Sequence, residues 1–324
     1  MLLGSRFYVG VAVSNYRNQL PQLSEAVFVT DSGLETDLIF NHGFDLPDFA
    51  SFVLLDDESG VEALQNYVAE HAELAADSGV GVIIETPTWR ASSDWGSKLG
   101  YDDASLSELN RRAVELLAGV RALRKPDSPP MVVSGNIGPR GDGYSPTSLM
   151  SADEARAYHS SQIDTFADTD VDMVTALTMT YVDEALGVAQ AAAAAGVPSA
   201  IGFTVETDGR LPDGTQLTDA IDSVDAASDG APAYYLLNCA HPTHLSDSFG
   251  AAAATGRLRG FRANASSMSH EELDNSEVLD DGNPTELGQQ FRKLRASSPN
   301  LTILGGCCGT DARHIRAIAE AING

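Results

Sequence analysis

LTILGGCCGT, residues 301–310, runs from four mostly apolar, β-prone residues into two glycines, two adjacent cysteines and a third glycine. Asp311 follows, then Ile315, Ile318, Ala319 and Ile322 at helical spacing. The pattern predicts a buried strand, a tight turn displaying two thiols, and a helix that opens on Thr310 or Asp311 as its cap. Adjacent side chains of an extended strand point to opposite faces, so Cys307 and Cys308 cannot both serve one ion from regular β geometry. Gly305, Gly306 and Gly309 lift that restriction, because glycine reaches backbone angles closed to other residues.

The chain holds one further cysteine, Cys239 in YYLLNCAHP, again at the end of an apolar, β-like run. Three thiolates are a natural set for a catalytic zinc, which keeps three protein ligands and one position for substrate or water. Two other readings stand beside it: three small buried hydrophobes, or Cys307 and Cys308 as redox partners. The placement of all three at strand ends favours the metal.

Outward from these stretches the same unit repeats. AVFVT (26–30), VGVIIE (80–85), MVVSGN (131–136), VDMVTAL (171–177), SAIGFTV (199–205), AYYLLNC (233–239), LRGFRAN (258–264) and LTILGG (301–306) read as strands. Between them lie amphipathic or alanine-rich runs, among them 152–167, opened by a Ser151-x-x-Glu154 capping box, and 182–195, closed by Gly196. Further helices are expected from Thr218, Thr243 and Pro284. Eight strand–helix units describe a single-domain α/β TIM (β/α)8 barrel, although alternation alone also permits an open doubly wound sheet. A barrel carries its functional loops at the carboxyl ends of the strands, and there the cysteines and the pieces DSG, ETPTW, GNIGPRGDGY, ETDGRLPDGT, NCAHP and RANAS fall. No Pro-, Gly- or Ser-rich linker divides residues 27–324. Residues 1–26, with Arg6 before a brief apolar patch and no small-residue cleavage site, read as a poorly ordered or locally packed leader rather than a signal peptide.

The 324 residues carry 46 acidic against 20 basic side chains, a formal net charge of −26, and only three lysines, Lys98, Lys125 and Lys293. Such a surface repels nucleic acid and anionic membrane, and no apolar run reaches the length of a membrane span. It suits either a salt-loving host, where ions screen the self-repulsion, or an ordinary acidic protein. With no paired-cysteine framework, a reducing cytoplasm is the expected compartment. A homo-oligomer is compatible with the sequence, which does not fix the number of copies.

With Asn238-Cys239-x-x-Pro242 and the closing G-G-C-C-G-T (305–310), the chain resembles the homocysteine S-methyltransferase family from Val27 to Ile322. Supporting matches are D-S-G-L-E-T (31–36), T-x-R-A-S (88–92), G-P-R-G-D (138–142) and D-G-x-x-x-D-G-T (208–215). The resemblance implies a zinc-dependent TIM barrel in which Cys239, Cys307 and Cys308 are the zinc ligands and the acceptor thiol takes the fourth position. Zinc deprotonates that thiol, which then attacks a methyl group of a small sulfonium or quaternary ammonium donor in line. The implied partners are thus a small thiol, homocysteine (giving methionine, in methionine biosynthesis) or a relative of it, and a small methyl donor. No G-x-G-x-x-G follows a strand and no cobalamin or folate module is added, which argues against a large cofactor.

The chain also departs from the family pattern. Where members usually carry F-E-T at the end of strand four, with a glutamate for the amino group of homocysteine, this chain reads Ala176-Leu177-Thr178. The usual N-T-Y after strand two is Pro87-Thr88-Trp89, and the usual N-S-G-E after strand seven is Asn264-Ala265-Ser266-Ser267. The metal motif is complete, whereas the pocket that reads homocysteine is altered.

Substrate residues are expected at the same strand ends. Asp31, Gly33 and Glu35 follow strand one, where the two carboxylates orient an amine or cationic donor or else cap the turn. Glu85 ends strand two and either replaces the missing carboxylate or pairs with Arg90 or Arg140. Trp89 and Tyr181 offer π faces to a methylated cation, or serve as packing. Asn238 is placed to hydrogen-bond around the metal site. His241 and His244 read as loop histidines. Two rival functions share the barrel: a zinc hydrolase or lyase with Glu85 as base, which three charge-donating thiolates oppose, and a zinc-retaining binding protein without turnover.

Overall fold

The computed structural model describes residues 15–144, 149–274, 276 and 278–323. Eight parallel strands close into a barrel in sequence order: β1 (Phe28–Thr30), β2 (Gly81–Glu85), β3 (Met131–Ile137), β4 (Met173–Met179), β5 (Ser199–Phe203), β6 (Tyr234–Ala240), β7 (Leu258–Ala263) and β8 (Ile303–Gly306). Closure is made by β1 against β8, with Phe28 opposite Ile303 and Val29 opposite Leu304. The TIM barrel expected from the alternation is the observed fold, and the open sheet is not.

The long helices lie where apolar spacing and caps put them. Asp57 accepts the Gly60 amide to open Glu58–Asp77, and Asp102 accepts the Ser105 amide to open Asp103–Ala122. The Ser151/Glu154 capping box opens Ala152–Ala167, and Gly196 (φ 71°) ends Val182–Ala195 in the left-handed region. Asp311 accepts the Arg313 amide and opens the last helix, Ala312–Asn323, while the Thr310 hydroxyl turns back to the Cys307 carbonyl. The helix expected from Thr243 is split: Pro242–His244 is a single 3-10 turn and the α-helix proper is Asp247–Ala254. Three short helices that local periodicity does not announce, Leu34–Phe40, Ser93–Lys98 and His270–Asp274, sit in the loops at the carboxyl ends of the strands.

Strand side chains alternate between two cores. Outward ones meet the helices. Inward ones (Phe28, Ile83, Val132, Met173, Ala200, Tyr234, Leu236 and Ile303) fill the lower barrel. Residues 15–26, within the leader read from sequence as poorly ordered or locally packed, pack onto that lower end. Leu20 joins the inner core, the Tyr16 amide donates to Asp172, and the Arg17 guanidinium donates to the carbonyls of Ala167, Thr169 and Val171. The physical reason is that these carbonyls, left open where a helix ends and a strand begins, need donors. Residues 1–14 of that leader lie outside the described residues, as do Ser145 and Pro146 of the glycine-rich loop after β3. Among the described residues no helix is long and apolar enough to cross a membrane.

Candidate metal centre and substrate cavity

At the carboxyl ends of β6 and β8 the three cysteine sulfurs converge within 4.8 Å of one another. Cys239 and Cys307, with Cα atoms 5.4 Å apart, are joined through sulfur, and Cys308 stands beside them. The redox pairing considered from sequence was Cys307 with Cys308; the pair that forms is across strands instead. A tetrahedral zinc with bonds of about 2.3 Å to sulfur separates its thiolates by about 3.8 Å. The cluster has the reach for such an ion once the Cys239–Cys307 bond is reduced to two thiolates.

Two left-handed residues produce this convergence. In a regular strand Asn238 and Cys239 would face opposite sides of the sheet. Cys239 has φ 54°, at a register shift of β6 against β7 between Asn238 and Ala240, and both side chains line the cavity. Thr178 (φ 65°) does the same on β4, where the register against β5 shifts between Ala176 and Met179. Each such conformation costs roughly 1–2 kcal/mol for a residue with a Cβ. The Asn238 side chain fastens the two together: its Oδ1 accepts the Thr178 amide (2.9 Å) and its Nδ2 donates to the Thr178 hydroxyl (2.9 Å). That same Nδ2 lies 4.0 Å from Cys307 Sγ, and the Thr178 hydroxyl 3.9 Å from Cys239 Sγ.

On β8 the glycines act differently from expectation. Gly309 alone of the three has a positive φ (78°). Gly305 and Gly306 are required for space, since a Cβ on either would collide with the hydroxyl of Thr30 or Thr310. Gly33, likewise, has its backbone against the Cys307 carbonyl, where no Cβ fits.

The cysteines open on a cavity of about 300 Å³ whose lining includes Asp31, Gly33, Glu35, Glu85, Trp89 and Asn238, all expected from sequence near the substrate; Tyr181 is not in it. Their partners were not foreseen. Arg262 on β7 reaches Asp31 (2.5 Å) and stands 3.8 Å from Glu85, taking the place of the expected Arg90 or Arg140. Its Nε donates to the Gly306 carbonyl (3.0 Å). Arg262 lies opposite Gly305 in register, and the lack of a side chain there leaves room to reach the end of β1. Desolvation pushes the Glu85 carboxyl up to about 7, opposed by Arg262 and reinforced by Asp31. Desolvation also raises Glu35, which accepts the Ser51 hydroxyl at 2.7 Å.

Arg90 is clamped between Trp89 and Trp95, its guanidinium carbon 3.9 and 3.7 Å from the two ring centroids, so one face of Trp89 is already occupied by a cation. Arg140 pairs with Asp94, and the Tyr181 hydroxyl accepts the Met150 amide outside the cavity. His241 and His244 do not line the cavity either. His270 and Tyr144, neither singled out from sequence, do: their rings stack at 3.9 Å, His270 Nε2 sits 2.6 Å from the Cys239 carbonyl, and the Tyr144 hydroxyl 3.7 Å from Cys308 Sγ. Arg262 had one visible signal, a charged residue inside the strand run LRGFRAN.

The fold and site define a TIM barrel with a cysteine cluster at its mouth. The homocysteine S-methyltransferase family matches residues 28–322, and the chain belongs to that family. No curated protein sequence matches it. Among solved structures, the metallated and oxidized forms of the homocysteine methyltransferase MmuM from Escherichia coli each superpose with a TM-score of 0.74 at 18% identity, covering 92% of this chain and 96% of that one. The apo form of the same enzyme gives 0.65 at 17% identity, over 92% and 96%.

Proposed function

We propose that the protein is a zinc-dependent S-methyltransferase that moves a methyl group from a small sulfonium or quaternary ammonium donor to a small thiol. The observation that carries the reading is the convergence of Cys239, Cys307 and Cys308 at the barrel mouth, where they line the cavity. Three thiolates would hold the ion, leaving one position for the acceptor sulfur. The ion's contribution is to keep that sulfur deprotonated at neutral pH.

The chain's own residues position the reactants. Asn238 and Thr178 hold Cys239 and Cys307 facing inward. Gly33 and Gly309 let the β1 and β8 loops close around them. Trp89 and Tyr144 line the cavity as aromatic surface for an onium methyl group. In the transfer, a lone pair of the acceptor sulfur forms the new S–C bond. The donor's C–S or C–N bond breaks with its electron pair leaving on a thioether or amine, and the acceptor's thiol proton goes to solvent. In-line approach at short range supplies most of the acceleration, and aromatic walls exclude water. A reducing, cytoplasmic setting would keep the cysteines available.

The test uses reduced, zinc-loaded protein at high salt. Zinc content and methylated thiol are measured with homocysteine and other small thiols against betaine, S-methylmethionine and S-adenosylmethionine. About one zinc per chain and a methylated product, both lost in Cys308→Ala, are expected. Reduced protein that takes up no zinc, or that methylates no thiol, overturns the reading.

A further inference from the structure

We infer that the acceptor is a small thiol carrying a carboxylate and no ammonium group, and that Arg262 is the residue that reads the carboxylate. The inference rests on thiol methyl transfer at the cysteine cluster, and it comes from the polar groups left open in the cavity.

Two guanidiniums line that cavity, Arg262 and Arg90, exposed by only 4% and 6%. Each keeps one buried N–H without a hydrogen-bond partner: Nη1 of Arg262 and Nε of Arg90. A buried charged donor without a partner is costly, so an acceptor is expected from a ligand. Cavity carboxylates, by contrast, are committed or shielded. Asp31 is held by Arg262 at 2.5 Å and lies near the Glu85 amide (3.4 Å). Glu35 accepts from Ser51. Glu85, facing Arg262 with Oε2 unpartnered, is kept largely protonated below neutral pH by burial, and as a carboxylic acid it can donate to a ligand carboxylate. Asp142 and Asp280, also on the lining, are solvent-exposed at the rim.

A ligand carboxylate can accept from the open N–H groups of both Arg262 and Arg90. An ammonium would stand beside these two guanidiniums, and the neighbouring inward position at the end of β4 offers it only Leu177. The remaining open acceptor, Asn136 Oδ1, is neutral.

Three matched thiols separate the alternatives: 4-mercaptobutanoate (carboxylate only), homocysteine (both groups) and 3-aminopropane-1-thiol (ammonium only). We expect kcat/KM at least 10-fold higher for 4-mercaptobutanoate than for homocysteine, and the aminothiol at least 100-fold below it. Arg262→Gln is expected to raise KM for 4-mercaptobutanoate at least 10-fold while changing the aminothiol little. Because that variant leaves Asp31 buried without its partner, two further measurements do not depend on it. Leu177→Glu, which adds a carboxylate to the wall, is expected to move the preference toward homocysteine at least 10-fold. Calorimetric titration of metal-free, wild-type protein is expected to show 4-(methylthio)butanoate binding at least 10-fold tighter than methionine. Homocysteine preferred over its des-amino analogue, or methionine bound as tightly as 4-(methylthio)butanoate, overturns the inference and leaves the methyltransferase reading standing. Methylation of none of the three thiols overturns that reading, and this inference with it.

Discussion

Replacing Asn238 with alanine tests how the cysteine cluster is assembled. The side chain is fully buried and makes two 2.9 Å hydrogen bonds to Thr178, one to the amide and one to the hydroxyl. Truncation leaves the Thr178 N–H buried without an acceptor, a penalty of about 1–3 kcal/mol, and removes a hydroxyl hydrogen bond of about 1 kcal/mol. Thr178 holds a left-handed conformation (φ 65°) that costs roughly 1–2 kcal/mol and that the amide bond helps to maintain. The expected loss is therefore about 2–4 kcal/mol of unfolding free energy. Since Asn238 also contacts Cys307 Sγ at 4.0 Å, zinc affinity should fall by about 10–100-fold, the usual range for groups that orient metal ligands. Urea denaturation of the reduced protein reads the first quantity, and competition with a chromophoric chelator reads the second. Asn238→Asp, which keeps an acceptor for the Thr178 amide, should recover part of the stability but not the zinc affinity, because its charge lies beside the thiolates. Asn238→Ala protein that loses less than about 0.5 kcal/mol and binds zinc as tightly as wild type would refute the role assigned to the amide.

Two more expectations follow from the site. Glu85 is raised from 4.5 to about 7; that displacement corresponds to about 3 kcal/mol of stability present below pH 4.5 and lost as pH rises through 7. Glu85→Gln should flatten the pH dependence of stability between pH 5 and 8, becoming relatively more stable at the higher pH; parallel urea curves for the two proteins would contradict the burial argument. Gly309→Ala forces a Cβ into φ 78° beside Cys308, and should destabilise by about 1–2 kcal/mol and weaken zinc binding, measured by the same two assays.

What the sequence determined by itself was local in origin. Strand–helix alternation, the Ser151/Glu154 capping box and the left-handed Gly196 are each set by residues within a few positions, and together they set eight strand–helix units; closure of β1 against β8, in place of an open sheet, was decided by the tertiary structure. The cysteines could be placed at strand ends for the same reason, and the cavity-lining residues Asp31, Glu85 and Trp89 with them. Only the tertiary structure decided what those residues meet. Arg262 and Asp31 are 231 residues apart, and they touch because closure sets β8 between β7 and β1 with a glycine at the crossing. Nor does a β-branched threonine or a cysteine signal a left-handed backbone, which Thr178 and Cys239 adopt under the hold of Asn238 and two register shifts. Propensity acts between neighbours along the chain, whereas charge pairing and strained turns at this site are imposed by contacts that exist only when the barrel is closed.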